Sequence, residues 1–120
     1  MTRTASSIRP FLPAKDFEAA KRFYSALGFA IGYEDGSIAV LEHPDGSFLL
    51  QNHWQKDWAE NFMLSWAVDD LDAWYERMKA ALEPLGGKGP TKPELKPWGM
   101  VVSDFIDPSG VCWHVSQKSN

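Results

Sequence analysis

Positive charge is in short supply in this sequence. Its 12 Lys and Arg stand against 16 Asp and Glu, a net charge of −4. Nucleic-acid binding calls for a basic face that neutralises phosphates, so that class of partner is disfavoured. Cysteine is nearly absent: Cys112 stands alone, cannot form an intramolecular disulfide, and fits a reducing compartment. No apolar run approaches the about 20 residues of a membrane span. Met1 to Ser7 is polar and is not followed by the apolar segment of a secretory signal. The expectation is a cytoplasmic protein with neither nucleic acid nor membrane as partner. No nucleophile with an adjacent base is visible, which leaves acyl-transfer chemistry without support.

What the chain does have is apolar and aromatic. Hydrophobic residues at 44% and aromatics at 13% argue for a packed globule, and 120 residues suffice for one domain over 1–120. Six tryptophans are many for this length, and some are expected to serve binding. The organising stretch is Lys96 to Gln117. Gly99–Ile106 and Val111–Ser116 read as two strands joined by the turn residues Asp107-Pro108-Ser109-Gly110. Pro97-Trp98-Gly99 opens this hairpin as an aromatic lip, and His114 sits inside an apolar strand.

Taken in order, Ile8–Leu12 is a short strand. Asp16 caps a helix bearing Phe17, Ala20, Phe23, Tyr24 and Leu27, which Gly28 ends. Phe29–Tyr33, Ser37–Glu42 and Ser47–His53 read as three strands, and Trp54 to Asn61 as a loop. Phe62–Val68 then begins the same plan again. Asp70 caps a second helix with Leu71, Trp74, Tyr75, Met78 and Leu82 on one face, broken at Pro84–Gly87. Lys88–Pro97 is a loop with three prolines and room for a short strand. Asp16 lies 54 residues before Asp70, and His43-Pro44-Asp45-Gly46 lies 64 before Asp107-Pro108-Ser109-Gly110. The fold class is α+β: two βαβββ modules, residues 7–54 and 62–117, curling their sheets around a concave site.

This repeat carries a resemblance. With Leu27-Gly28-Phe29 after the first helix and Asp69-Asp70-Leu71-Asp72 before the second, the chain resembles the vicinal oxygen chelate superfamily. That group includes glyoxalase I, extradiol dioxygenases and bleomycin-resistance proteins. Pro97-Trp98-Gly99, the turn and Cys112-Trp113-His114-Val115 look most like the bleomycin-resistance branch. The superfamily's enzymes hold a divalent ion on the concave face through the first and last strands of each module. The matching positions here are Arg9, Leu50, Met63 and His114. A guanidinium, an alkyl chain and a thioether suit no hard divalent ion, and His114 alone makes no site. The expectation is therefore no metal and no other cofactor. His114 is equally open to a structural reading and to a ligand-contacting one, and Cys112 reads as a small apolar filler.

With the mapped positions facing inward, strand parity puts Phe48, Leu50, Asn52 and Trp54 on the concave face. Met63, Ser65 and Ala67 join them, as do Cys112, His114 and Ser116. Leu64, Trp66, Val68, Val111, Trp113 and Val115 are expected to pack under the helices with Phe23, Trp74 and Met78. Trp54, Trp58 and Trp98 remain as ligand candidates, since an indole face stacks on aromatics and attracts cations. The resemblance implies a homodimer that exchanges its N-terminal strand at Pro10. It also implies sequestration of a cationic, planar-tailed drug between aromatic walls in crevices at the dimer interface. Trp98 matches one wall. The opposing position is Ile38, which is not aromatic, while Tyr33 matches another aromatic of the family. The candidate ligand-binding set is thus Tyr33, Ile38, Phe48, Asn52, Trp54, Trp58, Met63, Ser65, Trp98 and His114, with antibiotic resistance by binding as the function. The alternative is a metal-dependent glyoxalase- or dioxygenase-like enzyme using His53, His114 and Glu42.

Overall fold

The structure, a computed structural model, describes residues 7–118; the polar start from Met1 to Ser6 lies outside them. The chain runs β1 (Phe11–Pro13), α1 (Phe17–Ala26), β2 (Ala30–Glu34), β3 (Ile38–His43) and β4 (Gly46–Gln51). After α2 (Lys56–Glu60) come β5 (Met63–Ala67), α3 (Leu71–Leu85), β6 (Glu94–Leu95), β7 (Met100–Ile106) and β8 (Cys112–Lys118). Two four-stranded sheets result, ordered β1-β4-β3-β2 and β5-β8-β7-β6. In each, the first strand lies parallel to the last and the other pairings are antiparallel. This is the doubled βαβββ plan, and the fold class is α+β as expected.

Both helices start where the sequence says. The Asp16 carboxylate accepts from the Ala19 N–H at 3.0 Å, and Asp70 accepts from Ala73 at 3.1 Å. Leu27 ends α1, and Gly28 follows at a φ of 101° that a side chain would resist. The second helix runs through Pro84 in its last turn and stops at Gly86, which adopts the left-handed conformation. Two local expectations are corrected. The stretch read as a loop from Trp54 to Asn61 contains α2, which carries an exposed Lys56–Glu60 ion pair at 3.1 Å. The first strand begins at Phe11 rather than Ile8, because Pro10 has no N–H to donate and contributes only its carbonyl, to Leu49 N.

The larger correction concerns parity. In the first module His43 pairs directly with Gly46, so Pro44-Asp45 make a two-residue turn. In the second, Ile106 pairs with Cys112, and residues 107–111 form a five-residue loop. The two similar tetrapeptides therefore sit differently, and loops differing by an odd number of residues send the following strand out with its faces exchanged. Phe48 and Leu50, expected on the concave face, point into the core at 2% and 0% exposure. The first-sheet counterpart of His114 is Leu49: Phe11 pairs with Leu49 as Ser65 pairs with His114. In the second sheet the expected parity holds.

One apolar cluster joins the two modules. Trp66 and Trp113 are buried and Trp74 packs against them, as expected, with Phe23 and Met78 beneath the sheets. Phe48 meets Trp113 and Phe29 meets Trp66 at ring separations of 5.9 and 5.4 Å, so the inner faces of the two sheets pack on one another. His43, at the mouth of the 44–45 turn, has its ring packed between Phe29 and Trp66. A polar chain runs through this core. Trp113 Nε1 donates to the Tyr24 hydroxyl at 2.9 Å, and Tyr24 donates to Asp107 Oδ2 at 2.5 Å. Asp107 Oδ1 accepts the N–H groups of Ser109 and Val111, both at 2.9 Å. Burial pushes the Asp107 carboxyl above its ordinary range against the pull of these bonds. Burial, followed by the charge of Asp107, pushes the Tyr24 phenol well above its own.

Candidate functional site

Because the inner faces share a core, the outer faces of the two sheets turn away from it. Across the first sheet the register Phe11–Leu49–Val40–Tyr33 sets four apolar or aromatic residues in one row. Phe11 is 47% and Tyr33 55% exposed, unusual values for large apolar side chains on a sheet. Tyr33 is held by its own turn: its hydroxyl donates to Asp35 Oδ2 at 2.8 Å, and Asp35 Oδ1 accepts from Ser37 and Ile38 N–H. Those bonds, led by the Ile38 and Ser37 amides, lower the Asp35 carboxyl. Ile38 is half-buried beside Gln51 on this face.

On the second sheet the row is Ser65–His114–Asp104, with Met63–Cys112–Ile106 beside it. The His114 Nδ1 lies 2.6 Å from Asp104 Oδ1, and its Nε2 lies 3.5 Å from Met63 Sδ and 3.6 Å from Cys112 Sγ. Cys112 is half-buried on this open face rather than a core filler; burial, then the charge of Asp104, raises its thiol. Trp98 caps the β6–β7 turn, where Gly99 at φ 88° closes back on the Lys96 carbonyl. Trp98 is 69% exposed, so most of it is open to solvent. Met100 lies four residues along β7 from Asp104, roughly 14 Å at about 3.4 Å per residue. Trp98 thus stands in the turn at the far end of β7, the strand that carries Asp104 opposite His114.

The other sequence candidates take different places. Trp54 is half-buried against the core and donates from Nε1 to the Ser109 carbonyl at 2.7 Å, tying the first module to the 107–111 loop. Asn52 donates to the Gly36 carbonyl at 3.0 Å and pins the β2–β3 turn. Trp58 lies on α2, its ring 6.3 Å from that of His53. Phe48 and Ser65 line a narrow cleft of about 140 Å³ between the sheets, with Pro10, Phe29 and Trp66. That volume is below the about 300 Å³ at which drug-sized ligands are held. Within one chain, then, Tyr33 and Ile38 stand on one open face while Met63, Ser65, His114 and Trp98 stand on or beside the other. Sequence reasoning missed Leu49 through the parity slip, and missed Phe11 and Val40, which share the faces of Arg9 and Ile38, because their pairing with Leu49 is a long-range register. Asp104 stands opposite His114 because the loop that joins their strands has five residues.

With the register corrected, the positions that match the superfamily's ligands are Arg9, Leu49, Met63 and His114. Their donor set does not fit a hard divalent cation. Among the described residues no three His, Cys, Asp or Glu side chains come together to hold a metal, so Glu42, His53 and His114 form no such group. Also among the described residues, no helix is long and apolar enough to cross a membrane.

The doubled fold and these open faces define a member of one superfamily. A profile of the Glyoxalase/Bleomycin resistance protein/Dioxygenase superfamily matches residues 7–115, and the chain belongs to it. Within that group it is 30% identical over 113 residues to a bleomycin resistance protein of Klebsiella pneumoniae, covering 91% of this chain and 90% of that protein. It superposes with a TM-score of 0.77 and 27% identity on a bleomycin-binding protein complexed with bleomycin, over 96% of this chain and all of that one. A bleomycin resistance determinant encoded on the transposon Tn5 superposes with a TM-score of 0.78 and 27% identity, over 97% of this chain and all of that one.

Proposed function

We propose that this protein confers antibiotic resistance by binding and sequestering a cationic aromatic drug of the bleomycin type, without chemical conversion. In this reading it acts in the cytoplasm as a single 1–120 domain. The ligand occupies crevices where the first-sheet face of one protomer meets the second-sheet face of another. One observation carries this reading: two open sheet faces point away from a shared core, and the expected ligand-contacting residues are divided between them. Phe11 and Tyr33 stand on one, Met63 at 65% exposure on the other, and Trp98 is 69% exposed in the turn at the end of β7. A single chain cannot bring these halves together, whereas a symmetric pair supplies two complete crevices. Ser7–Pro10 supports the pairing. It takes no strand in its own sheet and leaves Ile8 100% exposed, as a segment exchanged with a second copy would be.

The chemistry of the crevice suits such a drug. Planar rings stack on Trp98 and Tyr33, and the Asp104 and Glu42 carboxylates attract cationic groups. The relatives named for bleomycin resistance and bleomycin binding support the same choice. Calorimetric titration with metal-free bleomycin tests it. The expected result is one drug per protomer with a Kd at or below micromolar, about −8 kcal/mol or better. Absence of saturable heat at drug concentrations of about 100 μM would reject the drug assignment.

A further inference from the structure

The exposed Met63–Cys112–His114 group has a use that the drug crevice does not require. Its three donor atoms come from neighbouring strands, β5 and β8, and the two sulfurs flank His114 Nε2, Met63 Sδ at 3.5 Å and Cys112 Sγ at 3.6 Å. Metal–sulfur bonds of about 2.3 Å and metal–nitrogen bonds of about 2.0 Å, meeting at a tetrahedral angle, separate nitrogen from sulfur by about 3.5 Å. The two contacts therefore have the spacing of ligands around one ion. The second nitrogen of His114 supports the arrangement. Nδ1 lies 2.6 Å from Asp104 Oδ1, the carboxylate–imidazole pairing that directs the lone pair of Nε2 outward and fixes the ring. Exposure is right as well: the His114 and Asp104 side chains are 40% and 36% accessible, so an ion can enter from solvent.

We infer that Met63, Cys112 and His114 form a binding site for a soft monovalent metal ion, Cu(I), with Asp104 orienting the imidazole. Thioether, thiolate and imidazole together select a soft ion over Mg(II), Ca(II) or Mn(II), which prefer oxygen ligands. Binding is a proton exchange. The Cys112 S–H bond breaks, the sulfur lone pair bonds to Cu(I), and the proton leaves to solvent, with no change in oxidation state. The site stands on residues of a single chain and does not depend on the proposed drug.

The test is anaerobic titration of the reduced full chain with Cu(I) against a chromogenic Cu(I) chelator, with Mn(II) as the hard-ion control. One Cu(I) per protomer, no competition by Mn(II), and X-ray absorption showing sulfur together with nitrogen ligands are expected. Cys112→Ser should weaken binding on the order of a hundredfold. Asp104→Asn should weaken it about 10- to 100-fold at unchanged stoichiometry. Met63→Leu keeps the size and exposure of the side chain and removes only the sulfur donor; it should weaken binding about tenfold. Circular dichroism of each variant separates loss of the ion from loss of the fold. Cu(I) held equally well by Cys112→Ser and Met63→Leu would overturn the inference, as would no Cu(I) binding by the folded wild-type chain.

Discussion

Asp107→Ala is expected to destabilise the protein by about 3–5 kcal/mol, a large part of the about 5–15 kcal/mol that holds a small domain together. The reason is that one carboxylate serves three donors at once. Without it the Tyr24 hydroxyl and the Ser109 and Val111 amides lose their acceptor inside the core, and each unsatisfied buried group costs about 1–3 kcal/mol. The first of these bonds joins the helix of one module to the hairpin loop of the other, so the effect should reach the whole fold rather than one loop. Asp107→Asn keeps a carbonyl acceptor and should lose less. The pH dependence has a definite sign. Burial raises the Asp107 carboxyl above its ordinary 3.8, so the folded state favours the protonated form. Its stabilising contribution is then fully present below the ordinary value and declines as pH rises through the raised one. The gap between wild type and the asparagine variant should narrow accordingly. Urea unfolding of the three proteins from pH 3 to 7 checks both statements; an alanine variant within about 0.5 kcal/mol of wild type would contradict the first.

The second large effect is on binding. Trp98→Ala should reduce affinity for metal-free bleomycin about 10- to 100-fold, the range of an aromatic anchor at the centre of an interface. Stability should change by no more than about 0.5 kcal/mol, because Trp98 is 69% exposed and most of it is open to solvent. The pairing of these outcomes is what matters. A tryptophan kept for the fold would shift the unfolding midpoint, and one kept for the ligand would not. Fluorescence titration of wild type and variant, with the unfolding curve of each, separates the two cases. Unchanged affinity would remove Trp98 from the site.

The residues that carry local signals were legible in the sequence. Asp16, Gly28 and Asp70 marked their helix ends because capping needs only near neighbours. The duplication showed because both modules use the same start signals. The second sheet's faces followed from Trp66, Trp113 and His114, whose alternation is unbroken. The first sheet's open face was not legible. His43-Pro44-Asp45-Gly46 and Asp107-Pro108-Ser109-Gly110 look alike, yet one makes a two-residue turn and the other lies inside a five-residue loop stapled by the buried Asp107. A turn sequence fixes where a chain reverses but not the register in which the next strand returns. That is why Leu50 was expected where Leu49 stands. The Tyr24–Asp107–Trp113 chain was hidden for a related reason, since its partners lie 83 and 89 residues apart and no local pattern couples them.

Two copies of this chain are expected to hold the drug jointly and to leave it unchanged. Native mass spectrometry of the protein with an excess of metal-free bleomycin tests it most directly. The predicted species is a dimer carrying two drug molecules, each recovered at its original mass. A monomer without drug, or a drug released at an altered mass, would contradict it.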